Sequence, residues 1–142
     1  MILTRSRTAA PLLLLLLLTV AFTACGEEAE PASDPPQTVE VTAEDTGSSV
    51  SLSPDDEIVI TLESNVTTGF AWQLAKEPDT AVLELVGSTY VAPDSDLVGA
   101  GGEEVWTFRA VGDGSTEIEL SYERSSGETA GEPFVLSVDV AG

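Results

Sequence analysis

Glu117-Ile118-Glu119-Leu120-Ser121-Tyr122 sets polar and apolar side chains in strict alternation. A strand turns successive side chains to opposite faces, so this stretch reads as a strand with one face in a core and one in water. The same period recurs in both directions along the chain. Val39 and Val41 carry it, as do Val50 and Leu52, then Ile58, Ile60 and Leu62, then Phe70, Trp72 and Leu74. Residues 82–91 hold a further strand or two. Val105-Trp106-Thr107-Phe108-Arg109 and Phe134-Val135-Leu136-Ser137-Val138-Asp139-Val140 complete the set. Gly, Pro, Asp and Ser break the runs, and no stretch of about 12 residues shows a helical repeat. About seven or eight short strands predict an all-β fold, an immunoglobulin-like antiparallel β-sandwich over residues 38–142. The alternation turns the acids outward. The chain has one cysteine, Cys25, so no disulfide can bridge the sheets and the core alone must hold them.

Upstream of the strands, residues 1–24 read as an export signal. Arg5 and Arg7 precede an apolar block with seven consecutive leucines, Leu12 to Leu18. About 14 mostly apolar residues are too few for a comfortable bilayer span, which needs about 20, but match the apolar region of a signal peptide. Thr23-Ala24-Cys25 resembles the lipobox of bacterial lipoproteins, although Phe22 stands where leucine is usual. That resemblance implies a lipid on Cys25, which becomes the mature N-terminus. The alternative is a secreted protein cleaved nearby, with Cys25 an ordinary residue. Gly26 to Gln37 read GEEAEPASDPPQ, acidic, rich in proline and without large apolar residues. Such a segment cannot bury enough surface to fold, so residues 25–37 are expected to be a disordered tether that begins, as the lipobox resemblance implies, with a lipidated cysteine. The expected location is the outer side of the membrane in the cell envelope, lipid-anchored or secreted.

Composition removes several functions. The 142 residues carry 25 Asp and Glu against 5 Lys and Arg, a formal charge of −20, and no histidine. Without imidazole there is no Ser-His-Asp triad, no Cys-His pair and no histidine metal site, so an enzyme is not expected. The charge repels phosphate backbones, which argues against nucleic acid as a partner. Asp55-Asp56-Glu57 and Asp94-Ser95-Asp96 lack the spacing of a calcium loop and read as polar turns. No metal or cofactor is implied.

Three segments between strands are richer than turns require. They are Asn65-Val66-Thr67-Thr68-Gly69-Phe70-Ala71-Trp72, Gly99-Ala100-Gly101-Gly102 with Trp106 and Phe108 after it, and Leu120-Ser121-Tyr122-Glu123-Arg124 with its following loop. They occupy alternate connections, which a sandwich places at one end, where they make a binding edge. The order and spacing N-x-T-T-G-F-x-W, G-A-G-G-x-x-x-W-x-F and L-x-Y-x-R resemble the chagasin family, immunoglobulin-like inhibitors of papain-like cysteine peptidases. The alignable core runs over about residues 50–140. The resemblance implies a steric, reversible inhibitor that blocks the active-site cleft through three loops and needs no cofactor. It implies that Thr67 and Thr68 lie against the target's catalytic groups, with Gly69 allowing the sharp wedge and Asn65 bracing it. Gly99, Ala100, Gly101 and Gly102 would lie along one side of the cleft and Arg124 on the other. Phe70, Trp72, Trp106 and Phe108 read as inward packing. Two positions depart from the family's usual pattern: Val66 replaces a proline, and Ser125-Ser126 replaces Pro-Trp. The expected partners are a papain-like peptidase and, through Cys25, a membrane, with the protein a monomer. The alternative reading is a non-inhibitory immunoglobulin-like binding module of the cell envelope.

Globomycin, which blocks lipoprotein signal cleavage, should make the unprocessed chain accumulate. Mass spectrometry of the mature N-terminus should find an acyl mass on Cys25; normal processing without that mass would remove the lipid anchor.

Overall fold

The structure, a computed structural model, describes residues 34–142. The export signal, Cys25 and the tether through residue 33 lie outside the described residues. Eight strands follow in chain order: β1 (Thr38–Thr42), β2 (Ser49–Leu52), β3 (Glu57–Ser64), β4 (Phe70–Lys76), β5 (Leu83–Val91), β6 (Gly102–Ala110), β7 (Gly114–Arg124) and β8 (Phe134–Val140). Two short 3-10 turns, Ala43–Asp45 and Val66–Thr68, are the helical content of the described residues. One sheet has the order β1-β3-β6-β5, the other β2-β8-β7-β4. The predicted sandwich is therefore present, with eight strands.

Its pairing is not wholly antiparallel. β1 runs parallel to β3, with Val39 opposite Ile58, and β2 runs parallel to β8, with Val50 opposite Val138. Alternation specifies which face is buried and is silent on direction. Between Thr42 and Ser49 the chain passes from one sheet to the other through Ala43–Asp45 instead of turning back as a hairpin. Each short strand thus joins a sheet edge beside a strand to which no hairpin connects it. Residues 82–91 hold one strand, β5, whose register shifts at a bulge between Leu85 and Gly87.

The inner faces meet in a single apolar core. β3 contributes Ile58, Ile60 and Leu62, and β6 contributes Trp106 and Phe108. From the other sheet come Ile118 and Leu120 of β7 and Leu136 and Val138 of β8. Each fully buried aliphatic side chain of this kind is worth about 1.5–3 kcal/mol. The four aromatics of the sequence reading divide here. Trp106 and Phe108 are buried, whereas Phe70 and Trp72 stay half-buried, because β4 is the edge strand of its sheet.

Register brings three connections to one end. Ser64 pairs with Gly102, Val91 with Glu103, and Phe70 with Arg124. The β3–β4, β5–β6 and β7–β8 loops therefore share that end. The chain enters at the other end, where Thr38 pairs with Glu57, and β8 also finishes there, with Val140 opposite Gly114.

Asp56 secures the entry. Its carboxylate accepts the backbone N–H of Gln37 at 2.8 Å and that of Ser53 at 2.8 Å. These two donors hold its pKa below the ordinary 3.8. The folded form thus keeps its charge to lower pH than the unfolded chain does. The stabilisation is full above the ordinary carboxyl range and is lost as the pH falls below about 3.8 through the folded value. Asp56→Asn should be less stable than the wild type at neutral pH, and the difference should shrink between about pH 4 and pH 2. Urea melts across that range give the measurement; a gap that does not change with pH would show that the carboxylate charge is not what braces the entry.

Candidate functional site

The first loop is a pre-formed turn. Asn65 caps it: its Oδ1 accepts the Thr67 N–H at 3.2 Å and the Thr67 hydroxyl at 2.6 Å. The Thr68 hydroxyl donates to the Asn65 carbonyl at 2.6 Å. Gly69 ends the turn at φ +79°, a left-handed conformation that glycine adopts without steric cost. Val66, Thr67 and Thr68 are exposed at the tip. Proline is absent from this loop, and the side-chain bonds of Asn65 and Thr68 restrain the backbone in its place.

The second loop docks on the first. Asn65 Nδ2 donates to the Gly99 carbonyl at 3.0 Å. A Cβ placed on Gly101 would stand 3.4 Å from the Ser64 carbonyl oxygen and 3.7 Å from the Asn65 Cβ, so the two loops lie against each other. Gly102 corrects the sequence reading. It is the first residue of β6, buried, and a Cβ there would collide with the Val91 carbonyl oxygen and the Tyr90 hydroxyl. It serves close packing of β5 against β6, and the exposed part of the loop is Gly99 to Gly101 with the residues before it. Among those, Leu97 is 77% exposed and Val98 fully so. The sequence reading passed over both. Their signal was present: two adjacent apolar residues between Asp94-Ser95-Asp96 and Gly99, outside any alternating run.

The third loop is joined to the first through Arg124. Its Nε donates to the Thr68 carbonyl at 3.2 Å, its guanidinium lies 4.3 Å from the Phe70 ring centroid, and it pairs with Glu128 at 2.8 Å. Beneath it the Phe70 ring stacks on Tyr122 at 5.4 Å, and Tyr122 packs against Trp72 at 5.2 Å. The Tyr122 hydroxyl accepts the Asn65 N–H at 2.8 Å. Phe70 and Tyr122 are thus the floor of this edge. Arg124, expected on the flank of a partner's cleft, uses Nε and Nη1 on the protein's own loops while its side chain stays part exposed. Ser125 and Ser126 are exposed at the tip of a β-turn closed by Gly127 N–H donating to the Arg124 carbonyl at 2.8 Å.

The sequence-predicted residues Asn65, Thr67, Thr68, Gly69, Gly99, Ala100, Gly101 and Arg124 therefore gather at one end of the sandwich. Among the described residues there is no group of three or more His, Cys, Asp or Glu side chains arranged to hold a metal ion. The edge can offer shape, small side chains, backbone groups and three exposed apolar side chains, Val66, Leu97 and Val98.

Arg124→Ala should cost about 1 kcal/mol, the scale of an exposed cation–π contact with its accompanying polar bonds. Arg124→Lys, which keeps charge but not the guanidinium fork, should fall between the two in urea denaturation. Equal stability of all three would mean that the clamp on Thr68 is idle.

The family described as chagasin family peptidase inhibitor I42 matches residues 51–138. Chagasin of Trypanosoma cruzi is 34% identical over 87 residues, which is 59% of this chain and 79% of that protein. Among solved structures, the cysteine protease inhibitor EhICP2 from Entamoeba histolytica superposes with a TM-score of 0.67 at 24% identity, covering 77% of this chain and 100% of that one. PbICP-C, solved in complex with falcipain-2, gives a TM-score of 0.52 at 20% identity over 75% of this chain and 93% of that one. At those identities the two structures speak for the fold. The family match spans more than half of the chain and agrees with the relative from Trypanosoma: this protein belongs to the chagasin family, a family of peptidase inhibitors and not of enzymes.

Proposed function

We propose that this chain is an exported, reversible inhibitor of papain-like cysteine peptidases that fills the active-site cleft with the three loops at one end of its sandwich. The observation that carries the reading is the mutual locking of those loops, Asn65 to Gly99 and Arg124 to Thr68, in a member of an inhibitor family. Thr67 and Thr68 form the narrow central wedge. They sit in a 3-10 turn with their hydroxyls bonded inside it, so they do not present the extended backbone that binding as a strand requires. The wedge occupies a cleft without offering a well-placed scissile bond, and no covalent step, metal or cofactor takes part. Because the turn is set before binding, little ordering entropy is lost on association. Leu97 and Val98 supply the apolar contact on one flank, while the Ser125-Ser126 flank lacks a ring to stack. The leucine block and Thr23-Ala24-Cys25 support export and a lipid anchor.

Inhibition assays on several papain-like enzymes test this. Thr67→Lys with Thr68→Lys should abolish inhibition while lowering stability by no more than about 1 kcal/mol. Ser125→Pro with Ser126→Trp should tighten the complex by slowing dissociation, with the association rate within about tenfold of the wild type. Residue 125 is the second position of the Arg124–Gly127 turn, which favours proline. No inhibition at high micromolar concentration by the wild type or by this second variant would sink the reading and leave the non-inhibitory binding module.

A further inference from the structure

β3 and β4 lie in different sheets, so no ladder of backbone hydrogen bonds ties together the two stems of the first loop. Side chains close it instead. Glu104, near the start of β6, faces the interior and is 8% exposed. Its Oε1 accepts the Ser64 hydroxyl at 2.6 Å and the Trp72 N–H at 3.1 Å, and its Oε2 accepts the same N–H at 3.2 Å. Ser64 is the last residue of β3, and Trp72 lies just inside β4. One carboxylate therefore spans the base of the segment from residue 65 to 71. The Trp72 indole N–H donates to the Glu63 carbonyl at 3.0 Å and closes the same base a second time.

A carboxylate is an expensive choice for an inward position, because burial penalises its charge. None of the three ion pairs among the described residues includes Glu104. Its compensation comes from the two donors at the loop's stems, which would lose their acceptor if an apolar side chain filled the site. We propose that Glu104 is a positioning residue: acting through Ser64 and Trp72, it sets the mobility and pose of the loop that carries Thr67 and Thr68. The link to inhibition rests on the cleft-blocking reading above; the link to loop mobility does not.

Hydrogen exchange of backbone amides under native conditions, read on the full chain, separates positioning from packing. Ser64→Ala and Glu104→Gln should each speed exchange across residues 65–72 by about tenfold, the scale of one charge-assisted hydrogen bond. Amides of the β7–β8 ladder should keep their wild-type rates, and Ser64→Thr, which restores the hydroxyl, should return the loop to its wild-type rate. The same two variants should weaken inhibition by a few-fold up to about tenfold, since the loop's stems are no longer held in the pose that fits the cleft. If Glu104→Gln does not fold, Ser64→Ala carries the test. Wild-type loop exchange in the folded variants would overturn the proposal whatever the inhibition assays show. Faster loop exchange with unchanged inhibition would overturn its functional half. A wild type that inhibits nothing removes the cleft-blocking reading, and the exchange rates still decide whether Glu104 governs the loop.

Discussion

Two four-stranded sheets held face to face by an apolar core, with no disulfide between them, are the constraint on which this domain depends. The chain's one cysteine precedes the described residues, so nothing covalent fixes the spacing between Ile58, Ile60 and Phe108 on one side and Ile118, Leu120 and Leu136 on the other. Close packing supplies that spacing, and a well-packed interior resists small displacements. The loop edge inherits it. The second and third loops each join neighbouring strands of one sheet, but the first crosses from sheet to sheet. Its position relative to its neighbours is therefore set by how the two sheets pack.

The edge spends most of its polar side chains on itself. Asn65 holds the first loop and reaches the second; Arg124 holds the first loop from the third; both threonine hydroxyls are bonded within the turn. What remains for a partner is backbone, small side chains, Val66 and the Leu97-Val98 tip. Such an edge recognises by fit, with few polar groups to desolvate on binding. Its surroundings add charge: Glu63 stands opposite Glu103 on the outer face beside the loops, within a protein of formal charge −20. That field speeds encounter with partners whose rim is basic and slows encounter with acidic ones, and it weakens with salt.

Alternation made the strands legible, because burial on one face writes itself into every second residue. Loop spacing made the edge legible, because glycine and asparagine sit where the backbone turns sharply. The parallel edge pairs β1–β3 and β2–β8 left no such mark, since strand direction does not change which residues are apolar. Phe70 looked like core because it falls in phase with Trp72 and Leu74; only the position of β4 at a sheet edge makes its ring a floor for Arg124. Gly102 looked like loop because two glycines of the same run are loop. Glu104 falls in phase with Trp106 and Phe108, but among 25 acids nothing in the sequence marks the Ser64 and Trp72 donors that meet it inside. In each case the missing information was a neighbour from another part of the chain.

The polarity of the sandwich has a practical side. Thr38 and Val140 both lie at the end opposite the loops, and β3, eight residues long, spans that distance. At about 3.3 Å per residue this is roughly 25 Å. A fluorophore, a bead or a fused protein joined at either end of the domain would therefore sit a full domain length from Thr67 and Thr68. The domain can be immobilised from its base with its three loops left free, and two copies fused base to base would present those loops in opposite directions.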